Sequence, residues 1–88
     1  MRRGEIRPAS LDPSLGAEAT KTRPVVIVSN DGSNMRAERL GRGVITVVPL
    51  TSNVTHVAPF QVFLDAADTG LPRDSKAQAE QVRSIDVR

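Results

Sequence analysis

Arginine is the residue type in this sequence that is best suited to binding phosphate. Ten of the twelve basic residues are arginines. A guanidinium presents a flat fork of donors, which fits phosphate oxygens better than the point charge of lysine does. The formal net charge is only +2, and a GC-rich genome would also favour arginine codons. The arginine content alone therefore does not decide the function.

Other side chains that could do chemistry are few. The chain has no cysteine, which excludes disulfides and thiolate metal ligands. His56 is the only histidine, and imidazole is the side chain that most readily acts as a base near neutral pH. One histidine cannot build a histidine-rich metal site. We therefore expect neither a metal nor a cofactor.

Three apolar, β-branched stretches are the elements that must position these residues. We predict strands over residues 24–29, 43–50 and 60–64, the last starting as early as residue 57. The first is β-branched almost throughout, which predicts burial of both its faces. Residues 4–6 could start an edge strand that Arg7-Pro8 interrupts. Residues 11–22 are predicted to form a long loop.

The remaining segments carry turn and helix signals. Turn-forming residues occupy positions 30–32 and 69–72, and residues 34–40 favour one or two helical turns that Gly41 can end. The segment 75–85 is ambiguous, because Lys76 to Gln81 favours helix on intrinsic propensity and Ser75 with Gln78 resembles a capping box. Short strands linked by turns indicate a mainly β domain, either a small barrel or a sandwich.

The length of 88 residues predicts one domain with a modest core. Without disulfides or a metal, a partner subunit is the remaining way to support such a core, so we expect a homodimer. No apolar run approaches the roughly 18 residues of a membrane helix, and Gly4-Glu5 follows the basic start where a signal peptide would be apolar. We expect a cytoplasmic protein with no membrane contact.

Four stretches, in this order and spacing, resemble toxins of the MazF/PemK family, most closely its actinobacterial branch. They are residues 3–6 with 11–13 and 16–18, residues 23–31, residues 47–53, and residues 74–75 with 80–86. The resemblance covers nearly the whole chain, 1–88, as a single toxin domain. It stops at Arg88, where relatives continue with a further strand and a C-terminal helix, so we expect a domain that is truncated at its C-terminus and lacks that helix.

The resemblance implies a fold, an activity and partners. The family fold is a small, strongly curved SH3-like barrel that pairs into a homodimer, and we follow the family in expecting strand rather than helix over residues 75–85. Its members are toxins of type II toxin–antitoxin systems that cut single-stranded RNA at short motifs without a metal, leaving a 2′,3′-cyclic phosphate. The implied partners are single-stranded RNA, a MazE-like antitoxin with a disordered acidic tail, and operator DNA only through the antitoxin complex.

The resemblance also implies roles for individual residues. Arg23 matches the catalytic arginine, whose guanidinium would neutralise charge on the phosphorane. Thr51 matches an active-site threonine that can donate to a phosphate oxygen, although a threonine at a strand end often bonds its own backbone. Glu18 matches a loop carboxylate that could act as a base. The implied substrate-binding residues are Ser52, Asn53, Glu80, Gln81 and Arg83.

Two alternatives stay open at this point. The same fold serves gyrase-blocking toxins of the CcdB type, and an inactive barrel could survive as an antitoxin or nucleic-acid partner. Arg23 together with the Thr51 motif favours the nuclease. His56 lies in a segment that varies in the family, so we do not expect it to be catalytic. Two further arginines, Arg42 and Arg73, are expected to supply positive potential to the RNA groove together with Arg23 and Arg83.

Overall fold

A computed structural model describes residues 1–10 and 22–87 of the chain. Its strands are, in chain order, β1 (Ile6–Ser10), β2 (Thr22–Ile27), β3 (Val44–Thr51), β4 (Gln61–Leu64), β5 (Ser75–Gln78) and β6 (Arg83–Asp86). Helix α1 (Asp31–Leu40) lies between β2 and β3, helix α2 (Ala66–Thr69) lies between β4 and β5, and a 3₁₀ turn (Ala79–Gln81) follows β5. The predicted mainly β architecture is confirmed.

Strand β3 is the centre of the sheet. All pairings are antiparallel, in the order β1-β2-β3-β5-β4. One edge of β3 pairs with β2 through residues 47–49. The other edge is shared by two strands, with β6 along residues 44–47 and β5 along residues 50–51. Because the sheet divides there, it curls without closing, as expected of a small barrel-like fold.

The core forms where alternate residues of β2 and β3 meet helix α1. Val25, Ile27 and Val47 are at most 1% exposed, and Ile45 and Ala37 complete the cluster. Residue Val26, between two core positions, is only half-buried. The prediction that both faces of this strand are buried was therefore wrong, because β2 alternates between core and surface as a strand with one covered face does.

Helix α1 is longer than its sequence suggested. The Oδ1 atom of Asn30 accepts a hydrogen bond of 2.8 Å from the Ser33 amide, which makes Asn30 the N-cap. Gly41 ends the helix in the left-handed region at φ 67°. The predicted turn over residues 30–32 was wrong, because a side chain that favours turns also caps helices.

Strand β1 continues through Pro8, where the sequence predicted an interruption. Within the described part of the chain the strand has a single neighbour, β2, and Pro8 lies opposite Pro24 in the register. A proline costs least in an edge strand. Pairing two residues that both lack an N–H also confines the missing donors to one position of the ladder.

The C-terminal segment follows the expectation taken from the family. Residues 75–78 and 83–86 are strands, and helical backbone is limited to the 3₁₀ turn between them. Pairing with β3 and β4 thus overrides the local helix propensity. The third predicted strand begins at Gln61 rather than near Val57, and α2 ends at Gly70, inside the predicted turn. The predicted loop 11–22 lies outside the described residues except for Thr22, which belongs to β2.

Candidate functional site

The start of β2 and the start of β5 meet at the end of β3. Both strands are antiparallel to β3, with Val25 opposite Pro49 and Lys76 opposite Thr51. They border an open groove of about 430 Å³. The lining residues are Arg23, Pro24, Leu50, Thr51, Ser52, Leu71, Pro72, Arg73 and Ser75. Arg23 and Thr51, far apart in the sequence, thus share one surface.

Thr51 is held at the last position of β3. Its Oγ1 accepts a hydrogen bond of 3.3 Å from the Asn53 amide, the local backbone contact typical of a strand-end threonine. Because this contact uses only a lone pair of the oxygen, the hydroxyl hydrogen can still be donated. The observed bond therefore orients Thr51 without removing its capacity to donate to a phosphate oxygen.

Arg23 lies on a part of β2 that, among the described strands, pairs with β1 alone. It is opposite Ala9, and the pairing with β3 begins at Val25. Its side chain is exposed. Among the described lining residues, the charged side chains are Arg23 and Arg73, with no carboxylate beside them. The groove therefore has a positive potential that suits an anionic ligand.

Of the predicted site residues Ser52, Asn53 and Glu18, one lines the groove, one lies outside it, and one falls outside the described residues. Ser52 lines the groove. Asn53 does not, and its Oδ1 accepts a hydrogen bond of 3.3 Å from the Thr55 amide, so it shapes the turn after β3. Glu18 lies outside the described residues. The backbone carbonyl of His56 accepts a hydrogen bond from Lys76 Nζ, and His56 does not line the groove.

The predicted residues near the end of the chain lie away from this groove. Glu80 and Gln81 belong to the 3₁₀ turn, which follows β5, whereas the groove lies at the start of β5. A four-residue strand spans roughly 13 Å. Glu80 Oε2 accepts a hydrogen bond of 2.8 Å from Gln61 Nε2. Arg83 lies on β6, opposite Val47.

Two polar residues of the groove were not assigned to the site from the sequence. Arg73 was expected only to contribute positive potential, and Ser75 was considered as a helix cap. Ser75 is instead a β5 residue that is 5% exposed, and its Oγ donates a hydrogen bond of 3.2 Å to the Arg73 carbonyl. The Gly-Leu-Pro turn before Arg73 was visible in the sequence, but the strand that follows it was not, because the local sequence of β5 favours helix.

Two negative observations apply to residues 1–10 and 22–87. No three His, Cys, Asp or Glu side chains in these ranges lie together in a way that could hold a metal ion. Neither helix found in these ranges has the length and apolar character needed to cross a membrane.

Comparison with known proteins identifies the family. Residues 2–88 match the model of the PemK-like, MazF-like toxins of type II toxin–antitoxin systems. Endoribonuclease MazF9 of Mycobacterium tuberculosis is 65% identical over 85 residues, which cover 97% of this chain and 72% of the relative. Probable endoribonuclease MazF1 of the same organism is 56% identical over 65% of this chain and 61% of its own length.

Endoribonuclease PemK of Escherichia coli is 41% identical over all of this chain and 62% of its own length. The chain thus spans less than two thirds of two of these three relatives. The family model nevertheless covers nearly every residue, including both strands that bring Arg23 and Thr51 to the groove. The chain belongs to the PemK-like, MazF-like toxin family of type II toxin–antitoxin systems.

Proposed function

We propose that this chain is a toxin that cleaves single-stranded RNA at the groove between β2, β3 and β5. The observation that carries the proposal is the convergence of Arg23 and Thr51 on that groove. Relatives named endoribonucleases support the same class of reaction. The proposed reaction needs no metal, because the ribose supplies its own nucleophile.

In the proposed reaction the 2′-oxygen of the RNA attacks the adjacent phosphorus. The bond from phosphorus to the 2′-oxygen forms while the bond to the leaving 5′-oxygen breaks, which gives a 2′,3′-cyclic phosphate and a 5′-hydroxyl. The 2′-hydroxyl loses its proton to a base, and the leaving oxygen takes up a proton. DNA lacks the 2′-hydroxyl and is not cut by this route.

The two converging groups have different parts in this reaction. The Arg23 guanidinium neutralises the charge that grows on the phosphorane, because it brings a positive charge and several N–H donors to the phosphate oxygens. Thr51 donates its hydroxyl hydrogen to a phosphate oxygen, in the orientation that its bond from the Asn53 amide provides. Glu18 is our candidate for the base, and Ser52 our candidate for a further phosphate contact.

The proposal extends to partners and assembly. We infer a cytoplasmic homodimer, inhibited by a MazE-like antitoxin whose acidic tail binds the arginine-lined groove, and brought to operator DNA only by that antitoxin. A dimer interface could bury apolar side chains that are exposed in the single chain. Phe60, Val62 and Val82 are 58%, 57% and 51% exposed. Asn53, Glu80, Gln81 and Arg83 are proposed to contact RNA beyond the groove, at the surface that the dimer completes.

Cleavage of a long single-stranded transcript in EDTA tests the proposal. We expect wild type to cut at discrete sites, and Arg23→Ala to cut about 10² to 10³ times more slowly, because one charge-stabilising group is lost. Arg23→Lys should fall between them, since it keeps the charge without the fork. The matched control is Arg36→Ala, which removes another exposed arginine, on α1, and should leave the rate unchanged.

Three results would contradict parts of this proposal. RNA that stays intact with folded wild-type protein excludes the nuclease, and a gyrase-inhibition assay then tests the CcdB-like alternative. An Arg23→Ala variant that cuts as fast as Arg36→Ala removes Arg23 from the mechanism. Cleavage that EDTA abolishes contradicts the metal-independent route.

A further inference from the structure

Arg73 approaches the groove from the side opposite to Arg23. Strands β2 and β5 flank β3 on its two edges. Arg23 is the second residue of β2, and Arg73 lies two residues before β5. Thr51, at the end of β3, therefore lies between an arginine on each side, and all three residues line the same groove.

The backbone that carries Arg73 is held at both ends. Gly70 ends α2 in the left-handed region at φ 76°, and its N–H donates to the Ala66 carbonyl at 3.0 Å. The Ala66 amide donates to Asp74 Oδ1 at 2.9 Å. On the other side, the buried Ser75 hydroxyl donates to the Arg73 carbonyl. These contacts fix the backbone on either side of Arg73 while its side chain remains exposed.

The charge of Arg73 is not neutralised within the described part of the groove. Asp74 is its neighbour in sequence, but that carboxylate accepts from the amide that begins α2. No carboxylate stands among the described lining residues, and the ion pairs within residues 1–10 and 22–87 do not involve Arg73. Two guanidiniums on one groove, with no carboxylate among its described lining residues, repel each other, and each gains from an anion placed beside it.

The spacing of the strands favours two anions over one. Neighbouring strands lie roughly 5 Å apart, so β2 and β5 are separated by about 10 Å across β3. This separation leaves room for two successive phosphates of an RNA strand. We propose that Arg73 is a substrate-positioning residue that binds a phosphate adjacent to the scissile one, an inference that rests on the proposed function and adds a second phosphate subsite to it.

Kinetics separate this role from a part in the chemical step. The cut site is first mapped on a long transcript, and a short oligonucleotide around it is then used. Arg73→Ala should raise KM about tenfold, as expected for one charged hydrogen-bonded contact, and leave kcat within about twofold. The slope of log Kd against log salt for a non-cleavable 2′-deoxy version should fall by about 0.7, the value for one phosphate contact to a single strand.

Two further variants serve as controls for the charge and the fold. Arg73→Lys should restore the salt slope and recover part of KM, because it keeps the charge without the fork. Arg36→Ala should match wild type in both measurements. A loss of kcat in Arg73→Ala with an unchanged KM, or an unchanged salt slope, overturns the proposal.

Neutral phosphates identify the subsite. Methylphosphonate is placed at the phosphate before or after the scissile one, in separate oligonucleotides. At one of these positions, the methylphosphonate should raise the KM of wild type about as much as the Arg73→Ala substitution does with the unmodified oligonucleotide. The same methylphosphonate should raise the KM of Arg73→Ala little further. If the effects of the methylphosphonate and of Arg73→Ala on KM are additive at both positions, the assignment is overturned. If the proposed function itself fails, wild type cuts no RNA at all, which is a different result and removes the scissile phosphate on which this inference depends.

Discussion

Asn34 is a fully buried amide on the inner face of α1, at 0% exposure. Its Nδ2 donates to the Ser29 carbonyl at 2.9 Å, and its Oδ1 accepts from the Ser29 hydroxyl. That hydroxyl in turn accepts from the Thr46 amide at 3.2 Å. The three residues form a partly buried hydrogen-bond network that ties α1 to β3, the strand that ends at Thr51.

We predict that Asn34→Ala destabilises the protein by about 3 kcal/mol. The substitution removes two hydrogen bonds, at about 1 kcal/mol each, and leaves a small cavity and a partly buried Ser29 carbonyl without its side-chain donor. A chain of this length has a total stability of roughly 4 to 13 kcal/mol, so the variant should still fold at low temperature. Ser33→Ala, at an exposed position of the same helix, is the matched control and should change stability by less than about 0.5 kcal/mol.

Urea unfolding, followed by far-ultraviolet circular dichroism, measures the difference in the free energy of unfolding between each variant and wild type. The chain has no tryptophan or tyrosine, so fluorescence has no useful probe, and the protein concentration must be fixed because association shifts apparent stability. Asn34→Asp gives a second test. Burial raises the pKa of the new carboxyl, so its destabilisation relative to wild type should grow as pH rises above about 4. A loss below about 1 kcal/mol in Asn34→Ala, or no pH dependence in Asn34→Asp, would refute the reasoning.

Two other predictions concern the Thr51 hydroxyl, a candidate catalytic group, and the N-terminus. Thr51→Val should lower kcat about 10² to 10³-fold on RNA while Thr51→Ser keeps most of it, because only the hydroxyl donates; equal rates in single-turnover assays would exclude that role. The Met1 α-ammonium, 2.7 Å from Glu38, holds the pKa of that carboxyl below its ordinary value of 4.5. The ion pair therefore stabilises the fold above that pH and is lost as pH falls through the lower folded-state pKa. Acid titration should show Glu38→Gln lacking this part of the pH dependence, and identical curves would contradict it.

The strands were the most predictable part of the fold. Residues 24–29 and 43–50 were recognised as strands from their β-branched side chains, and the observed strands 22–27 and 44–51 agree within two residues at each end. Residues that are compatible with two kinds of local structure were less informative. Asn30 is as suitable for a helix cap as for a turn, and Pro8 breaks a central strand but is tolerated at an edge.

The candidate site was predictable only in part from local sequence. Arg23 and Thr51 were singled out through the family resemblance, since no spacing in the sequence states that the start of β2 lies beside the end of β3. Arg73 shows more clearly what local sequence cannot predict about the site. Its place in the groove depends on a short pairing of β5 with Leu50 and Thr51, and the local sequence of β5 favours helix.

The register of the core strands also fixes the position of the candidate catalytic pair. Val25 and Ile27 on β2 are buried with Ile45 and Val47 on β3, and this apolar pattern specifies how the two strands align. A slip of one residue would expose those core side chains and would carry Arg23 about 3.3 Å along the sheet and to its other face. The burial that stabilises the fold is therefore the same interaction that keeps Arg23 and Thr51 on one groove. A site built on paired strands in this way keeps its geometry as long as the core remains folded, which is what charge stabilisation at a single phosphorus requires.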